Sequence, residues 1–280
     1  MKQITTGQIT EAVRSLAVRA NCFLPPDVAM ALECASEVEA NATARAALED
    51  LNDNFKYAAE SGLPICQDTG MAVVFADIGQ DVHISGGNFE AAVNEGIRLA
   101  YTTGGLRCSV VADPFRRVNT DDNTPAVIHT RLVSGDTLSL TVAPKGFGSE
   151  NMSALRMFNP TDSVEFIEDF IIDAVIHAGS KPCPPIILGI GVGGTFEGVA
   201  LAAKRALLRP VDTLNSDPFY AEMETRLLQK INATGIGAQG FGGRTTALAV
   251  NVNALPTHIA GLPVAINMCC HVLRHASASL

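Results

Sequence analysis

Three cysteines lie far apart in the chain, each within a segment that glycine or proline marks as a turn. Cys66 stands in Pro-Ile-Cys-Gln-Asp-Thr-Gly, Cys183 in Lys-Pro-Cys-Pro-Pro, and Cys270 in Asn-Met-Cys-Cys-His. Electron-transfer clusters normally use four cysteines, several of them closely spaced. Three dispersed thiolates suit instead a cubane iron–sulfur cluster with one open iron, which can act as a Lewis acid on a hydroxyl or a carboxylate. The spacing therefore indicates a metal centre with catalytic chemistry.

Polar residues near these cysteines could bind an anionic ligand. Gln67 and Asp68 directly follow Cys66, in a loop between helical and strand-like segments. Arg107 precedes a strand-like segment, and arginine is the residue best suited to bidentate carboxylate binding. The segment 145–151 places two glycines, the second of them Gly148, beside a lysine. This arrangement suits an anion-binding nest, with a plain hairpin loop as the alternative.

Other interpretations of the same residues stay open at this point. Cys270, His271 and His275 could form a zinc set because His-x3-His suits zinc, although no Cys-x2-Cys accompanies it. His258 could equally be a hydrogen-bonded core histidine. The glycines at 189–194 match a dinucleotide-binding fingerprint, but the acidic residue at the required distance lies in a loop rather than at a strand end. We therefore reject a dinucleotide site, while a glycine turn opening a helix could still offer amides to a carboxylate.

The composition excludes several classes of protein. The chain has 280 residues, 47% of them hydrophobic, and a net charge of −9 without a basic run, so a sizeable core is available and nucleic acid is not an expected partner. No apolar stretch approaches the roughly 20 residues that span a bilayer, so no membrane partner is expected either. The seven cysteines, without secretory features, indicate cytoplasmic thiols rather than disulfides. Cys22 and Cys34 stand at helical spacing among apolar residues, and we expect both to be buried.

The segments that must position these residues indicate a mixed α and β fold, in which an N-terminal helical region precedes a mixed α/β cluster-binding domain. Residues 1–60 are predicted to be helical, with an apolar face that includes Ile9, Val13 and Leu16. Gly135-Asp136 predicts a hairpin between two strands. The remaining predicted helices cover 88–102, 161–177, 196–208 and 218–231, and the predicted strands cover 71–84, 109–112, 126–132, 137–143, 185–188, 246–252 and 263–268. We expect one domain over residues 1–280, mainly helical over residues 1–62.

Taken together, the motifs resemble those of the iron–sulfur hydro-lyase alpha subunits, the family of the class I fumarases and L-tartrate dehydratases. The resemblance runs from the N-terminal helices to the end of the chain. It rests on six motifs in the family's order, namely PICQDTG (64–70), LRCSVVADP (106–114), NTPA (123–126), GSENMS (148–153), CPP (183–185) and CHVLRHA (270–276). The chain departs from the family's usual Lys-Gly-Gly-Gly-Ser loop, because Phe147 stands at the middle position.

The resemblance implies a cofactor and a set of site residues. It implies that a 4Fe-4S cluster is bound by Cys66, Cys183 and Cys270, and that Cys269 is not a ligand. It also implies that a dicarboxylate substrate is faced by Gln67, Asp68, Arg107, the glycine turn near Gly148, and His258. Asp68 and His258 are the candidate catalytic residues within this chain.

The activity that the resemblance implies is the reversible addition of water across the double bond of a dicarboxylate. We expect fumarate and malate as the substrates, with L-tartrate as the alternative. A cluster-carrying scaffold subunit without turnover is a hypothesis of a different class. Single-chain members of the family carry a second domain with a catalytic base and further cations, and this chain ends soon after its third cysteine motif. We therefore expect a separate beta subunit, with two alpha chains in a cytoplasmic heterotetramer.

Overall fold

The computed structural model describes residues 2–280 and has a mixed α and β fold, which confirms the fold class predicted from the sequence. The helices are α1 (Thr6–Cys22), α2 (Pro26–Val38), α3 (Ala42–Ser61), α4 (Phe89–Thr103), α5 (Phe147–Glu150), α6 (Val164–Ala178), α7 (Phe196–Ala206) and α8 (Pro218–Asn232). The strands are β1 (Lys2–Thr5), β2 (Met71–Gly79), β3 (Val82–Ser85), β4 (Val127–Val133), β5 (Leu138–Lys145), β6 (Ala154–Phe158), β7 (Ile186–Gly193), β8 (Ala247–Leu255), β9 (Leu262–Cys269) and β10 (Ala276–Ser279). In the part of the chain that the structure describes, no helix is long and apolar enough to cross a membrane.

The chain divides into two compact units, each assembled from segments that are distant in sequence. The first unit contains the described residues up to Pro25, residues 55–147 and residues 274–280. The second unit contains residues 26–54 and 148–273. Each unit has its own four-stranded sheet and its own hydrophobic core.

The first unit has a sheet with the strand order β10-β5-β2-β4. Strand β2 is parallel to β4 and antiparallel to β5, and a separate parallel pair joins β1 and β3. Helix α1 packs against α4 and β5. Ile9, Val13 and Leu16 are buried in this contact, which confirms the apolar face predicted for α1.

Several strand predictions in this unit are wrong. The run 71–84 is two strands, because a turn at Gln80 and Asp81 separates β2 from β3. Residues 109–112 form no strand and contribute only a single bridge, from Val111 to Asn119. The turn around Gly135 does not close a hairpin, because β2 lies between β4 and β5 in the sheet. Five consecutive buried positions in β2 are typical of a central strand covered on both faces, and that position separates its neighbours.

The second unit has a sheet with the strand order β6-β9-β7-β8 and helices on both faces. Strand β7 is parallel to β8 and antiparallel to β9. Helices α6 and α8 share one core with Leu188 and Ile190 of β7. Helix α7 packs against β7 and β9, with Val199 and Ala203 buried there. Because side chains alternate along a strand, Gly189 and Gly191, which alternate with Leu188 and Ile190, face α7.

The glycine-rich segment 189–194 has a packing role that differs from the predicted turn. Gly189 and Gly191 lie within β7, and the chain turns only at its end. A Cβ on Gly189 would lie 2.1 Å from the carbonyl oxygen of Ala203, and one on Gly191 would lie 2.2 Å from that of Val199. These glycines therefore let α7 pack closely on the sheet, which is the physical reason for a pattern that resembles a dinucleotide fingerprint.

Candidate active site

The loop that carries Cys66 joins α3 to β2 and is fixed at both ends. Gly62 follows α3 with a φ of 70°, and Gly70 precedes β2 with a φ of 74°. A Cβ on Gly70 would lie 2.7 Å from the carbonyl carbon of Lys145, so glycine allows the loop to lie against the end of β5. Between them, the buried Ile65 donates its amide to the Asn21 carbonyl at 2.9 Å. The loop therefore holds Cys66 in a defined position.

Buried side chains hold three successive carbonyls of this loop, those of residues 68–70. Arg274 donates from Nη2 to the first carbonyl oxygen. The Tyr101 hydroxyl donates to the second at 2.7 Å and lies 3.2 Å from the third. Asn123 donates from Nδ2 to the third at 3.1 Å. The backbone that follows Cys66 and Gln67 is thus bonded to the interior of the first unit.

The segment that carries Arg107 is attached to the same loop. The Thr69 hydroxyl donates to the Arg107 carbonyl at 2.9 Å and accepts from the Arg107 amide at 3.0 Å. Asn123, which is fully buried, accepts the Ser109 amide at its Oδ1 at 2.7 Å. Asn123 also donates from Nδ2 to the Gly70 carbonyl, as described above. Its Oδ1 and Nδ2 therefore connect the NTPA segment to the PICQDTG and LRCSVVADP motifs.

A cleft of about 460 Å³ opens where these segments meet. It brings together three of the predicted site residues, Cys66, Gln67 and Arg107, with Thr69 at its wall. The Cys66 thiol donates to Gln67 Oε1 at 3.4 Å, and the Arg107 side chain is exposed to solvent. A thiol, an amide and a guanidinium in one cleft can bind a metal and a carboxylate side by side.

Asp68 contacts the backbone through both of its carboxylate oxygens. Oδ1 accepts the Gly70 amide at 3.0 Å, and Oδ2 accepts the Phe147 amide at 2.9 Å. A Cβ on Gly146 would lie 3.2 Å from Oδ2, so the glycine before α5 leaves room for this contact. Phe147 keeps the amide contact while its side chain is exposed, so the departure from the family's usual loop does not remove this hydrogen bond.

Gly148 lies in α5 at an exposed position. A Cβ there would meet only the Lys181 carbonyl oxygen at 3.7 Å, an ordinary contact. The end of α5 is held by Glu150, whose carboxylate accepts Lys204 Nζ at 2.5 Å and Asn267 Nδ2 at 2.8 Å. The GSENMS motif is therefore anchored by an ion pair and an amide of the second unit.

Cys183 lies in a tight turn directly before β7. Its φ is 54°, and a cis bond joins Pro184 to Pro185. Gln239 holds this turn, because its backbone amide and its Nε2 both donate to the Pro184 carbonyl at 2.7 Å. The Cys183 side chain is exposed.

Cys270 directly follows β9 at the same edge of the second sheet. Ile187, near the start of β7, pairs with Cys269, the last residue of β9, so the chain before β7 and the chain after β9 leave the sheet together. His271 Nδ1 lies 3.0 Å from the Cys183 carbonyl oxygen and 3.4 Å from Gln239 Nε2, and the shorter contact is a hydrogen bond in the tautomer that carries its proton on Nδ1. The second unit therefore brings the Cys183 and Cys270 segments into direct contact.

His258 lies in the turn between β8 and β9 and is exposed, which rules out the alternative of a core histidine. Its Nδ1 accepts the Ala260 amide at 3.1 Å, so the neutral imidazole carries its proton on Nε2. The predicted site residues are thus divided between the units, with Cys66, Gln67, Asp68 and Arg107 in the first. The second unit contains Gly148, Cys183, His258 and Cys270.

The cysteines differ in accessibility, and no disulfide forms among the described residues, which include all seven cysteines. Cys66 and Cys270 are half-buried and Cys183 is exposed, whereas Cys22 and Cys269 are buried. Burial raises the pKa of the Cys22 thiol, which makes it a poor metal ligand. The expectation that Cys34 is buried is wrong, because this residue faces outward from α2.

The cysteine, histidine and carboxylate side chains differ in how well they suit the two predicted metal centres, a zinc ion and an iron–sulfur cluster. Over residues 2–280, no three His, Cys, Asp or Glu side chains are grouped so as to hold a single ion, which does not support the zinc alternative. Thiolates bind a cubane cluster at separate corner irons and need not surround one point. Three accessible thiols, Cys66, Cys183 and Cys270, each in a turn, fit that donor chemistry.

Sequence reasoning missed three residues that build the site. Thr69 lies inside the PICQDTG motif, but its hydroxyl had no predicted partner. Tyr101 appears in the sequence as one more apolar residue of α4, and Arg274 as one of several basic residues near the C-terminus. A polar side chain on the buried face of a predicted helix is the one signal that could have identified Tyr101.

Comparison with known proteins agrees with this arrangement of motifs. A family model described as fumarate hydratase (Fumerase) matches residues 10–279. The chain is 39% identical over 274 residues to a protein of Methanocaldococcus jannaschii provisionally named L(+)-tartrate dehydratase subunit alpha, with 96% of each chain covered. It is 26% identical over 280 residues to the L(+)-tartrate dehydratase subunit alpha of Escherichia coli strain UTI89, covering 99% of this chain and 92% of that protein.

Proposed function

This chain belongs to the fumarate hydratase family. On that premise we propose that the chain is the alpha subunit of a 4Fe-4S-dependent hydro-lyase that removes water from L-tartrate. Membership in this family confirms the resemblance found in the sequence. The observation that carries the proposal is the cleft that brings Cys66, Gln67 and Arg107 together. A metal ligand beside a carboxylate-binding arginine is the combination that water elimination from a hydroxy dicarboxylate requires.

The choice of substrate follows the names of the relatives. The sequence analysis favoured fumarate and malate, with L-tartrate as the alternative, but the relatives compared above are named L(+)-tartrate dehydratase subunit alpha. Fumarate and malate are the second candidate pair, which the description of the family model favours. The two reactions differ by one hydroxyl group on the substrate, so the same cleft chemistry serves both.

Cys66, Cys183 and Cys270 would hold the cluster. When bound, it supplies an open iron that acts as a Lewis acid toward the substrate hydroxyl. The three thiols are accessible, and those of the second unit sit on segments in direct contact. This accessibility supports their assignment as ligands.

The chain's own polar residues would bind and orient the substrate. Arg107 is exposed at the wall of the cleft, where its guanidinium can bind a carboxylate through two hydrogen bonds. The Gln67 amide, in the same cleft, can hydrogen-bond a hydroxyl or carboxylate oxygen. Gly148 directly follows Phe147, whose amide donates to Asp68, and we assign Gly148 to the substrate-binding wall.

Proton transfer requires a base near the substrate carbon. Asp68 and His258 are the candidate catalytic residues within this chain. Asp68 is fixed by two backbone amides, and each carboxylate oxygen retains a second acceptor position. His258 carries its proton on Nε2 when neutral, so it is suited to donate one there. We expect the principal base on a beta subunit.

A beta subunit would complete the active site. The relatives compared above are named as alpha subunits, which supports a separate partner chain. The partner would supply the missing base and further cations for the two substrate carboxylates. We also propose that two alpha chains associate within a cytoplasmic heterotetramer. A cluster-carrying scaffold subunit without turnover is the alternative to this reading.

The test is anaerobic co-expression of the chain with its beta subunit, followed by assays of water elimination from L-tartrate and malate and of fumarate hydration. We expect kcat/KM for L-tartrate to exceed that for malate by at least about tenfold, equivalent to about 1.4 kcal/mol in transition-state binding. Arg107→Ala should lower it, whereas Arg116→Ala, which removes an exposed arginine outside the cleft, should not. Higher efficiency with malate and fumarate would select the second candidate pair, and no turnover with any of them would refute the proposal.

A further inference from the structure

Arg274 carries a buried positive charge. Its side chain belongs to the first unit and the residue is only 4% exposed. Nη2 donates to the Asp68 carbonyl, but Nε and Nη1 are buried and have no hydrogen-bond partner within residues 2–280. It also forms no ion pair with a carboxylate of the described chain.

Such an arrangement is unusual, because a charge removed from water without a partner strongly destabilises a folded protein. Arg209 in the same molecule also has a buried Nε that finds no partner among the described residues, but its charge is balanced by a carboxylate. Its guanidinium pairs with the buried Glu224 and donates to Asn251 Oδ1 at 2.9 Å. Arg274 instead donates to a neutral carbonyl of the loop that lines the cleft, so its placement serves that loop rather than a salt bridge.

The surroundings of Arg274 form a small polar region beneath the loop. Burial raises the pKa of Tyr101 to about 12, while the charge of Arg274 and the Asn21 side chain oppose that rise, so both side chains lie near the phenol. Asn21 Oδ1 is a buried acceptor that, among the residues described, has no partner.

We propose that Arg274 is a positioning residue of the candidate active site. By donating a hydrogen bond to the Asp68 carbonyl from the interior of the first unit, it fixes the segment that presents Cys66 and Gln67 to the cleft. The effect of this contact on catalysis rests on the proposed function, whereas the hydrogen bond itself is observed in the structure independently of that function. The positioning role follows from the three successive carbonyls described above, of which Arg274 holds the one nearest to Gln67. Loss of this contact would leave Tyr101 and Asn123 to hold only the two later carbonyls.

Three amide protons report on the position of this loop. The amides of Gly70 and Phe147 donate to the Asp68 carboxylate, and the amide of Arg107 donates to the Thr69 hydroxyl. Hydrogen exchange at these amides is measured on the isolated chain without any cofactor or reaction. Arg274→Met removes the donors, Arg274→Lys retains one charged donor, and Arg116→Met, which replaces an exposed arginine of the same unit, is the control.

In Arg274→Met we expect exchange at these three amides to accelerate at least about tenfold, while amides of β7 in the second unit keep their wild-type rates. Arg274→Lys should recover part of the protection. If the methionine variant does not fold, the lysine variant is measured by the same comparison and should show a smaller, local acceleration. Wild-type exchange at the three amides, or equal acceleration in both units, would overturn the proposal.

The catalytic consequence is measured separately in the reconstituted enzyme. We expect Arg274→Met to raise KM for the dicarboxylate more than it lowers kcat, and Arg274→Lys to restore part of the loss. A wild-type enzyme without hydro-lyase activity would refute the proposed function, whereas a local change in exchange would still support the positioning role. A fully active Arg274→Met enzyme would show that the site does not depend on this contact and would overturn it.

Discussion

Replacing Tyr101 by phenylalanine removes one oxygen atom from the interior of the first unit. Tyr101 is 2% exposed, and its hydroxyl donates to the Thr69 carbonyl at 2.7 Å. The nearby Gly70 carbonyl retains its bond from Asn123, so a single carbonyl loses its donor. A buried group left without its hydrogen-bond partner costs about 1–3 kcal/mol, and we expect Tyr101→Phe to be less stable by that amount at neutral pH.

The same structure predicts that this difference disappears in alkali. Burial raises the pKa of Tyr101 to about 12, against about 10 for an ordinary tyrosine. Below about pH 10 the phenol is neutral in both the folded and the unfolded chain, so its stabilisation is fully present. Between about pH 10 and 12 the unfolded chain ionises first, and the wild-type protein loses about 3 kcal/mol, since a shift of about two pKa units corresponds to roughly that free energy.

The assay is urea unfolding of both proteins followed by circular dichroism, since the chain has no tryptophan. Burial also raises the pKa of Tyr220, but that residue is present in both proteins, so their difference isolates Tyr101. We expect the gap in unfolding free energy to close as the pH rises from about 10 to about 12. A gap that stays constant over this range would refute the reasoning, as would a neutral-pH gap below about 0.5 kcal/mol.

Three further predictions concern the cluster, the substrate and the fold. Anaerobically purified protein should lose iron and sulfide on substitution by serine of Cys66, Cys183 or Cys270, and retain both on substitution of Cys22, Cys34 or Cys269; a full cluster in any of the first three variants would remove that residue from the ligand set. Arg107→Ala should lower kcat/KM by an amount equivalent to about 2–5 kcal/mol while the iron content stays unchanged, and a loss of less than about tenfold would make Arg107 a surface residue. Gly191→Ala should destabilise the second unit by about 1–3 kcal/mol, because the new methyl group meets the Val199 carbonyl; unchanged urea unfolding would contradict the close packing of α7 on β7.

Local patterns predicted most of the helices of this fold. The apolar face of α1 and the helix predicted over 88–102 follow from residues within a few positions of one another, and both are found in the structure. The turn at Gly135 was also recognisable, but its pairing was not. The strand inserted between β4 and β5 comes from a segment about fifty residues earlier, and no local signal in the turn reveals that insertion.

The short strands show the same limit. Strand β10 pairs with β5 across more than a hundred residues, and β6 pairs with β9 over a similar separation. Neither carries a strong pattern of its own, because each is a short edge strand stabilised by its neighbour. The predicted glycine turn differs from the structure for a related reason. Gly189 and Gly191 lie within a strand and contact α7, and the sequence of the strand does not indicate which helix packs against it.

The candidate site could be predicted in part because its motifs are compact. Cys66 and Gln67 are neighbours in sequence, and Arg107 is predicted from its residue type as a carboxylate-binding candidate; the structure places all three in one cleft. Arg274 could not be assigned, because its role depends on a contact with a carbonyl about two hundred residues away. Long-range contacts of polar side chains with the backbone leave no periodicity in the sequence, so this part of the site required the structure.

The central claim is that the accessible cysteines hold a cluster on which water elimination depends. The most direct measurement follows L-tartrate turnover by the anaerobic complex with its beta subunit during controlled exposure to air, and then after anaerobic return of Fe²⁺ and reductant. An open iron with three protein ligands is readily lost by oxidation, so the account predicts that turnover falls together with the iron content and recovers with it. Turnover that is unaffected by air and by iron chelators would contradict the account.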